Sequence, residues 1–146
     1  MFFEKFFHEQ LAGLCREYGL KTMKWRERTY ALIGANYIMW FVGEITENME
    51  LYYIRRDHDG KLKRWNLDWY IKTSIEAQDR TGLTKKQSLI DGWKNDAVKI
   101  TRVLKRRFSD LLSGGDGWME DYFKSEYAFA PRELFGDDLK KAEQYI

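Results

Sequence analysis

The stretch YYIRRDHDGKLKRWNLDWY, from Tyr52 to Tyr70, contains two β-rich runs joined by a polar loop. The loop begins with Asp57, and aspartate is favoured at the first position of a type I turn. It ends with Gly60, which accepts the left-handed backbone conformation that closes a three-residue hairpin loop. The stretch therefore predicts a β-hairpin.

Two similar separators occur earlier in the chain. GAN, TEN and HDG end in Asn36, Asn48 and Gly60, twelve residues apart, and each of these residues tolerates a positive φ angle. Three hairpin loops of this kind predict a four-stranded antiparallel meander with strands at residues 28–33, 37–45, 49–56 and 62–72.

Three-residue loops also fix the register of the strands. Applied to all three loops, the rule predicts these cross-strand pairs: Tyr53 with Trp65, Leu51 with Leu67, Met49 with Trp69, Ile45 with Met49, Gly43 with Leu51, Phe41 with Tyr53, Ile33 with Tyr37 and Ala31 with Met39. One face of the sheet is then almost wholly apolar. The opposite face mixes aromatic, aliphatic and basic side chains.

Helical periodicity occurs on both sides of this region. Apolar residues at spacings of three and four predict a helix over residues 2–18, with Gly19 as its cap, and a long helix over residues 85–112 that begins near a capping box at Thr84 and Gln87. Shorter helices are predicted at residues 118–127 and after Pro131. The expected organisation is one α+β domain over 1–146, composed of a helix (1–19), an antiparallel sheet (21–72), a long helix (84–112) and an acidic helical C-terminal segment (118–146).

The bulk composition limits the class of protein. With 146 residues and 16% aromatic side chains, the chain can bury a core of its own. The single cysteine, Cys15, excludes an internal disulfide and favours a reducing cytoplasm. No apolar run approaches the roughly 18 residues that a membrane span requires, so we expect no membrane association.

Charge is unevenly distributed along the chain. Residues 1–112 carry 21 Lys and Arg against 15 Asp and Glu, a net charge of +6, whereas residues 113–146 carry 4 against 8, a net charge of −4. Opposite charge at the two ends favours solubility or contact with a charged partner.

The Asp57 loop is also a candidate for chemistry, because His58 lies between two aspartates. The segment lacks the frame of a calcium loop and a second histidine at helical spacing for zinc, so the pattern favours a plain turn with His58 at its exposed tip. We predict no metal, no cofactor and no catalytic set.

The mixed sheet face is the strongest candidate for binding. Aromatic and arginine side chains form hot spots in protein interfaces and also stack on nucleic-acid bases. The predicted partner-binding residues are Tyr30, Trp40, Tyr52, Arg56, Arg64, Tyr70 and Lys72. A predicted basic ridge on the long helix consists of Lys99, Arg102, Lys105 and Arg106. Alternatively, the N-terminal helix or the C-terminal tail covers the centre of the face, and the ridge is an ordinary solvated surface.

These features favour a cytoplasmic, non-enzymatic binding protein that docks onto a macromolecule, with a protein as the expected partner. A small inhibitor or adaptor of the kind that phages and mobile elements encode, such as a counter-defence protein, fits this description. The alternative is a nucleic-acid-binding protein that uses the mixed sheet face and the basic ridge. Against that alternative, the isoelectric point is only about 8.5, and the aromatic motif of RNA-binding sheets is absent from the sequence.

Overall fold

The computed structural model describes residues 2–146, and the chain has the predicted α+β architecture. Met1, the first residue of the predicted helical segment, lies outside the described residues. Within them, six strands form one antiparallel sheet whose order follows the chain, two more than the four predicted. The strands are β1 Lys21–Arg26, β2 Thr29–Ile33, β3 Ile38–Gly43, β4 Met49–Arg56, β5 Leu62–Asn66 and β6 Arg132–Glu133. The helices are α1 Phe2–Gln10, α2 Ala12–Tyr18, α3 Asp68–Lys72, α4 Leu89–Arg107, α5 Ser109–Leu112, α6 Trp118–Lys124 and α7 Gly136–Glu143, and a 3-10 turn spans Ala77–Arg80.

The first predicted helix is present as two helices, α1 and α2, that are separated at Leu11. Hydrogen bonds continue through the break, since the Leu11 amide donates to the Phe7 carbonyl at 3.1 Å and the Cys15 amide donates to the Leu11 carbonyl at 2.9 Å. Gly19 has φ 68° and caps α2, as predicted.

The long helix is shorter at both ends than predicted. Ser88 is its N-cap and accepts a hydrogen bond from the Asp91 amide at 3.2 Å. The predicted cap, Thr84, instead donates its amide to Asn95 Oδ1 at 3.0 Å, so the preceding segment is held against α4 as a loop. At the other end, Phe108 separates α4 from α5.

The hairpin loop at Asp57 has the predicted form. The Asp57 amide donates to the Lys61 carbonyl at 2.9 Å, and Gly60 has φ 82°. The predicted partnership of Tyr53 with Trp65 is confirmed. His58 is 96% exposed at the tip, which confirms the interpretation of this loop as a turn.

The strand predicted at residues 62–72 is too long. It ends at Asn66, whose side-chain Oδ1 accepts a hydrogen bond from the Asp68 amide at 3.0 Å and turns the chain into α3. The predicted pair of Met49 with Trp69 is therefore wrong.

The loop before β4 lies one residue earlier than predicted. The Glu44 amide donates to the Asn48 carbonyl at 2.8 Å, and Glu47, not Asn48, has the positive φ of 69°. Phe41 consequently pairs with Leu51, not with Tyr53. Because the register changes by two positions, both strands keep their predicted faces.

The loop between β2 and β3 also differs from the prediction, and this difference changes which side chains face the core. The Gly34 amide donates to the Tyr37 carbonyl at 2.9 Å, so the connection contains two residues where three were predicted. Met39 therefore pairs with Leu32, not with Ala31. A change of one residue exchanges the two faces of β2, and Tyr30 lies on the inner face.

Helices α1 to α6 all contribute side chains to the core on the inner face of the sheet. Gly43 permits a close approach of α4 to the sheet, because a Cβ atom at this position would lie 2.4 Å from the Trp93 indole. The indole Nε1 donates to the Glu44 carbonyl at 2.9 Å. The core that these helices form with the sheet includes Phe3, Phe7, Leu11, Leu14, Phe41, Tyr53, Trp65, Trp93, Ile100 and Leu104.

The outer face of the sheet is covered only in part. Helix α7 packs over a second apolar cluster that contains Trp25, Trp40 and Ile54. Asp138 of α7 accepts a hydrogen bond from Trp25 Nε1 at 3.0 Å and forms an ion pair with Arg26. The tail thus covers the apolar centre of the mixed face and leaves the side of the sheet near β4–β6 open.

Candidate functional site

The open part of the outer face contains a small polar pocket. Strands β4, β5 and β6 and the segment before β6 surround a cavity of about 220 Å³. We call it the arginine pocket, and its lining residues are Tyr52, Arg64, Asn66, Phe129, Ala130 and Arg132.

Strand pairing brings the side chains of the arginine pocket together. Tyr52 on β4 is the cross-strand partner of Asn66 on β5, and Arg64 on β5 is the partner of Arg132 on β6. The Arg64 guanidinium lies over the Tyr52 ring, 4.8 Å from its centroid. A stacked guanidinium keeps its N–H groups at the edge of its plane available for an anion.

No acidic side chain among the described residues neutralises the two arginines of the pocket. Within residues 2–146, neither Arg64 nor Arg132 has a carboxylate at ion-pairing distance, although Lys63, beside Arg64 on β5, does. Lys63 lies 2.8 Å from carboxylate oxygens of both Asp57 and Asp59. Like charges directly opposite each other destabilise a sheet, so this pair reduces the stability of the β5–β6 contact.

Two further groups of the pocket are fixed by hydrogen bonds. The Tyr52 hydroxyl donates to Glu50 Oε2 at 2.6 Å, and burial together with this carboxylate raises the pKa of Tyr52 to about 12. The phenol is therefore a neutral donor at physiological pH. Asn66 Oδ1 is occupied by the Asp68 amide, and its Nδ2 has no hydrogen-bond partner within the described part of the chain.

Exposed aromatic rings flank β6. Phe129 is 50% exposed on the rim of the arginine pocket, and its amide donates to the Tyr122 hydroxyl at 2.8 Å, which fixes the backbone there. Phe135 follows β6, is 83% exposed, and lies beside Arg26 and Lys141. We call the arginine pocket together with Phe135 the outer patch.

Of the seven predicted partner-binding residues, Tyr52 and Arg64 line the arginine pocket. Tyr30 and Trp40 are buried, the first on the inner face and the second under α7, where Trp40 is 1% exposed. Neither side chain reaches the surface.

The other three predicted partner-binding residues form hydrogen bonds or ion pairs within the fold. Arg56 donates to the carbonyls of Gly60 and Ile146 at 2.9 and 3.3 Å. Tyr70 and Lys72, predicted on a strand, lie on α3, where the Tyr70 hydroxyl donates to Asp121 Oδ2 at 2.6 Å. Lys72 lies 2.9 Å from Asp68 and 3.4 Å from Asp96.

The predicted basic ridge is largely engaged in internal contacts. Arg106 pairs with the buried Asp79 at 2.6 Å and holds the pKa of that carboxyl below its usual range. Arg102 donates to the carbonyls of Asp79 and Thr81 at 3.1 and 2.6 Å, and Lys99 lies 3.2 Å from Asp96. Lys105 is exposed. Arg102 and Arg106 therefore fasten the segment around the 3-10 turn to α4.

A second polar cleft of about 440 Å³ lies between α3, α4 and the loop before β4. The charges at its centre form ion pairs with each other, since the buried Asp96 lies between Lys72 and Lys99. Asp96 also accepts a hydrogen bond from the Met49 amide at 2.8 Å. Burial and the neighbouring Glu50 raise the pKa of Glu44 at its edge. Over the described range, no group of His, Cys, Asp and Glu side chains is arranged to hold a metal ion.

Sequence reasoning missed Asn66, Phe129 and Arg132. Asn66 was predicted on a strand but not as a site residue, Phe129 lies between two predicted helices, and Arg132 lies where a helix was predicted. The signal that could have revealed this segment is Pro131, which lacks an amide hydrogen and favours an edge strand over a helix interior.

Comparison of the chain with protein-family models, with curated proteins and with solved structures finds no match. Among the described residues, no helix has the length and apolarity needed to span a membrane.

Proposed function

We propose that this chain is a non-enzymatic binding protein, an inhibitor or adaptor that docks onto another protein in the cytoplasm through its outer patch. The observation that carries the proposal is the arginine pocket, where two arginines that have no carboxylate partner among residues 2–146 lie beside an exposed phenylalanine. This arrangement reduces the stability of the isolated chain and becomes favourable when an anionic, partly apolar surface covers it.

The residue types of the outer patch support a protein partner. Arginine, tyrosine and phenylalanine are enriched in protein interfaces, and truncation of a few such residues accounts for most of the binding energy. Tyr52 and Arg64 are pre-organised by their stacking and by the bond from Tyr52 to Glu50. A pre-organised side chain loses less conformational freedom when a partner binds.

Nucleic-acid binding is the second candidate, because Phe129 beside Arg64 and Arg132 offers a stacking ring next to two cations. The basic ridge adds little to it, since Arg102 and Arg106 are bound to backbone and carboxylate groups of the same chain. A nucleic-acid site needs a longer track of unpaired cations.

The proposal is tested by capture from a lysate of the encoding organism, with three forms of the protein as bait. The double variant Phe129→Ser/Phe135→Ser removes the two exposed rings of the outer patch. The control, Ile45→Ser, removes an apolar side chain that is 77% exposed and lies outside the outer patch. We expect one stoichiometric partner protein with the unaltered chain and with Ile45→Ser, and loss of that partner with the double variant.

Two results contradict the proposal. One is a partner that the folded double variant retains, where folding is verified by thermal unfolding. The other is salt-sensitive retention of DNA or RNA by the unaltered chain that Arg64→Ala abolishes, because this supports the second candidate.

A further inference from the structure

We propose that the arginine pocket is a carboxylate-binding site that receives one acidic side chain of a partner protein. This inference rests on the proposed function and names the chemistry of the partner at the outer patch. The occupant is an aspartate or glutamate next to an apolar residue, because the carboxylate meets the arginines while its neighbour meets Phe129.

The geometry of the two arginines suits a carboxylate. They project from adjacent strands on one face of the sheet, as cross-strand partners, so an anion placed between them contacts both. A guanidinium presents N–H groups in a planar fork that matches the two oxygens of a carboxylate. The free Nδ2 of Asn66 supplies a neutral donor at the same pocket.

Binding also removes an unfavourable contact within the free protein. Before binding, the like charges of Arg64 and Arg132 repel each other across β5 and β6, with no compensating carboxylate among the described residues. A carboxylate between them replaces this repulsion with two charge-assisted hydrogen bonds. The pocket therefore distinguishes glutamate from glutamine by charge.

The surroundings favour a single carboxylate over a polyphosphate. Glu50 binds the Tyr52 hydroxyl beside the pocket, and Asp138 lies near Phe135. The segment over residues 113–146, which provides Phe129 and Arg132, carries a net charge of −4, with 4 basic against 8 acidic residues. The net negative charge of this segment disfavours a nucleic-acid strand with its many phosphates more than it disfavours one side chain with a single charge.

The inference is tested by following backbone amide signals during titration of the full chain. The probes are acetyl-Glu-Phe-amide, the matched acetyl-Gln-Phe-amide, inorganic phosphate and a short oligothymidylate. The variants are Arg64→Gln and Arg132→Gln, and the control is Arg16→Gln, which removes one positive charge from the exposed surface of α2.

We expect the glutamate probe to shift the amides of Tyr52, Arg64 and Arg132 in a saturable manner. The glutamine probe should bind at least about tenfold more weakly, which corresponds to the loss of one charge-assisted hydrogen bond. Either pocket variant should abolish the shifts, and Arg16→Gln should retain them.

Three results overturn the inference. They are equal affinity for the two peptide probes, no saturable shift with the glutamate probe, and tighter binding of phosphate or oligothymidylate at the same amides. The proposed function is judged separately. If the partner protein is lost when Phe129 and Phe135 are replaced but is retained by both arginine variants, the proposed docking function stands and the proposed carboxylate site is wrong.

Discussion

Arg64 on β5 and Arg132 on β6 are cross-strand partners on the outer face of the sheet, and within residues 2–146 neither guanidinium has an acidic partner. Two neighbouring lysines do have acidic partners: Lys63 pairs with Asp57 and Asp59, and Lys61 pairs with Glu133 at 3.6 Å. Arg64 and Arg132 both lie on the face that α7 leaves open.

Reversing one of these charges should stabilise the isolated chain. In Arg132→Glu the new carboxylate faces Arg64, and a favourable cross-strand pair replaces a repulsive one. We expect an increase in the free energy of unfolding of roughly 0.2–1 kcal/mol, measured by urea denaturation. Arg132→Gln, the control, removes the repulsion without adding attraction and should give a smaller gain. A loss of stability in Arg132→Glu contradicts the description of this pair.

The hairpin loop at Asp57 should tolerate loss of its histidine but not of its glycine. Gly60→Val places a β-branched residue at φ 82° and should lower the free energy of unfolding by roughly 1–3 kcal/mol. His58→Ala removes an exposed side chain and should change it by less than about 0.5 kcal/mol. Thermal or urea unfolding of both variants measures the difference. A large effect of His58→Ala on folding or on partner binding contradicts the assignment of this loop as a turn.

Two glycine-to-alanine variants should act in opposite directions. Gly43→Ala forces a Cβ atom against the Trp93 indole, 2.4 Å away, and should destabilise by roughly 1–3 kcal/mol through overpacking. Gly13→Ala, in α2, meets only the flexible Lys105 Nζ at 3.5 Å and should stabilise by roughly 0.5–1 kcal/mol through helix propensity. Urea unfolding compares the two variants. Equal and small effects contradict the close packing of Trp93 on β3.

Arg106 should contribute to stability in a pH-dependent way. Its guanidinium lowers the pKa of Asp79 in the folded state, so the contribution is present above the ordinary Asp pKa of about 3.9 and is lost as the pH falls through the folded value. Arg106→Ala should unfold at a lower urea concentration than the unaltered chain at neutral pH, and the difference should shrink on acidification. Lys105→Ala, an exposed neighbour, is the control and should behave like the unaltered chain. A difference that grows on acidification contradicts this assignment.

Sequence reasoning succeeded where local rules decide the structure. The loop from Asp57 to Gly60 and the pairing of Tyr53 with Trp65 follow from one aspartate and one glycine at fixed spacing. The capping of α2 at Gly19 follows in the same way. These features depend on contacts between residues that are close in the chain, which a sequence encodes directly.

Failures occurred where distant contacts decide the structure. Loop length between β2 and β3 differs by one residue from the prediction, which alone moves Tyr30 from the outer to the inner face. Strand β6 has two residues, and its place beside β5 depends on the chain returning to the sheet after the 65 residues between Asn66 and Arg132. A two-residue strand has no periodicity, so Arg132 could not be assigned to the face of Arg64 from the sequence.

The central claim, that the outer patch docks a protein, is tested most directly by site-specific photocrosslinking. A photoreactive phenylalanine analogue at position 129 should crosslink to one protein from the lysate, and an excess of the unaltered chain should suppress the product. The same analogue at the exposed position 45 should give no such product. A protein adduct that forms equally from both positions, or no protein adduct from position 129, contradicts the claim.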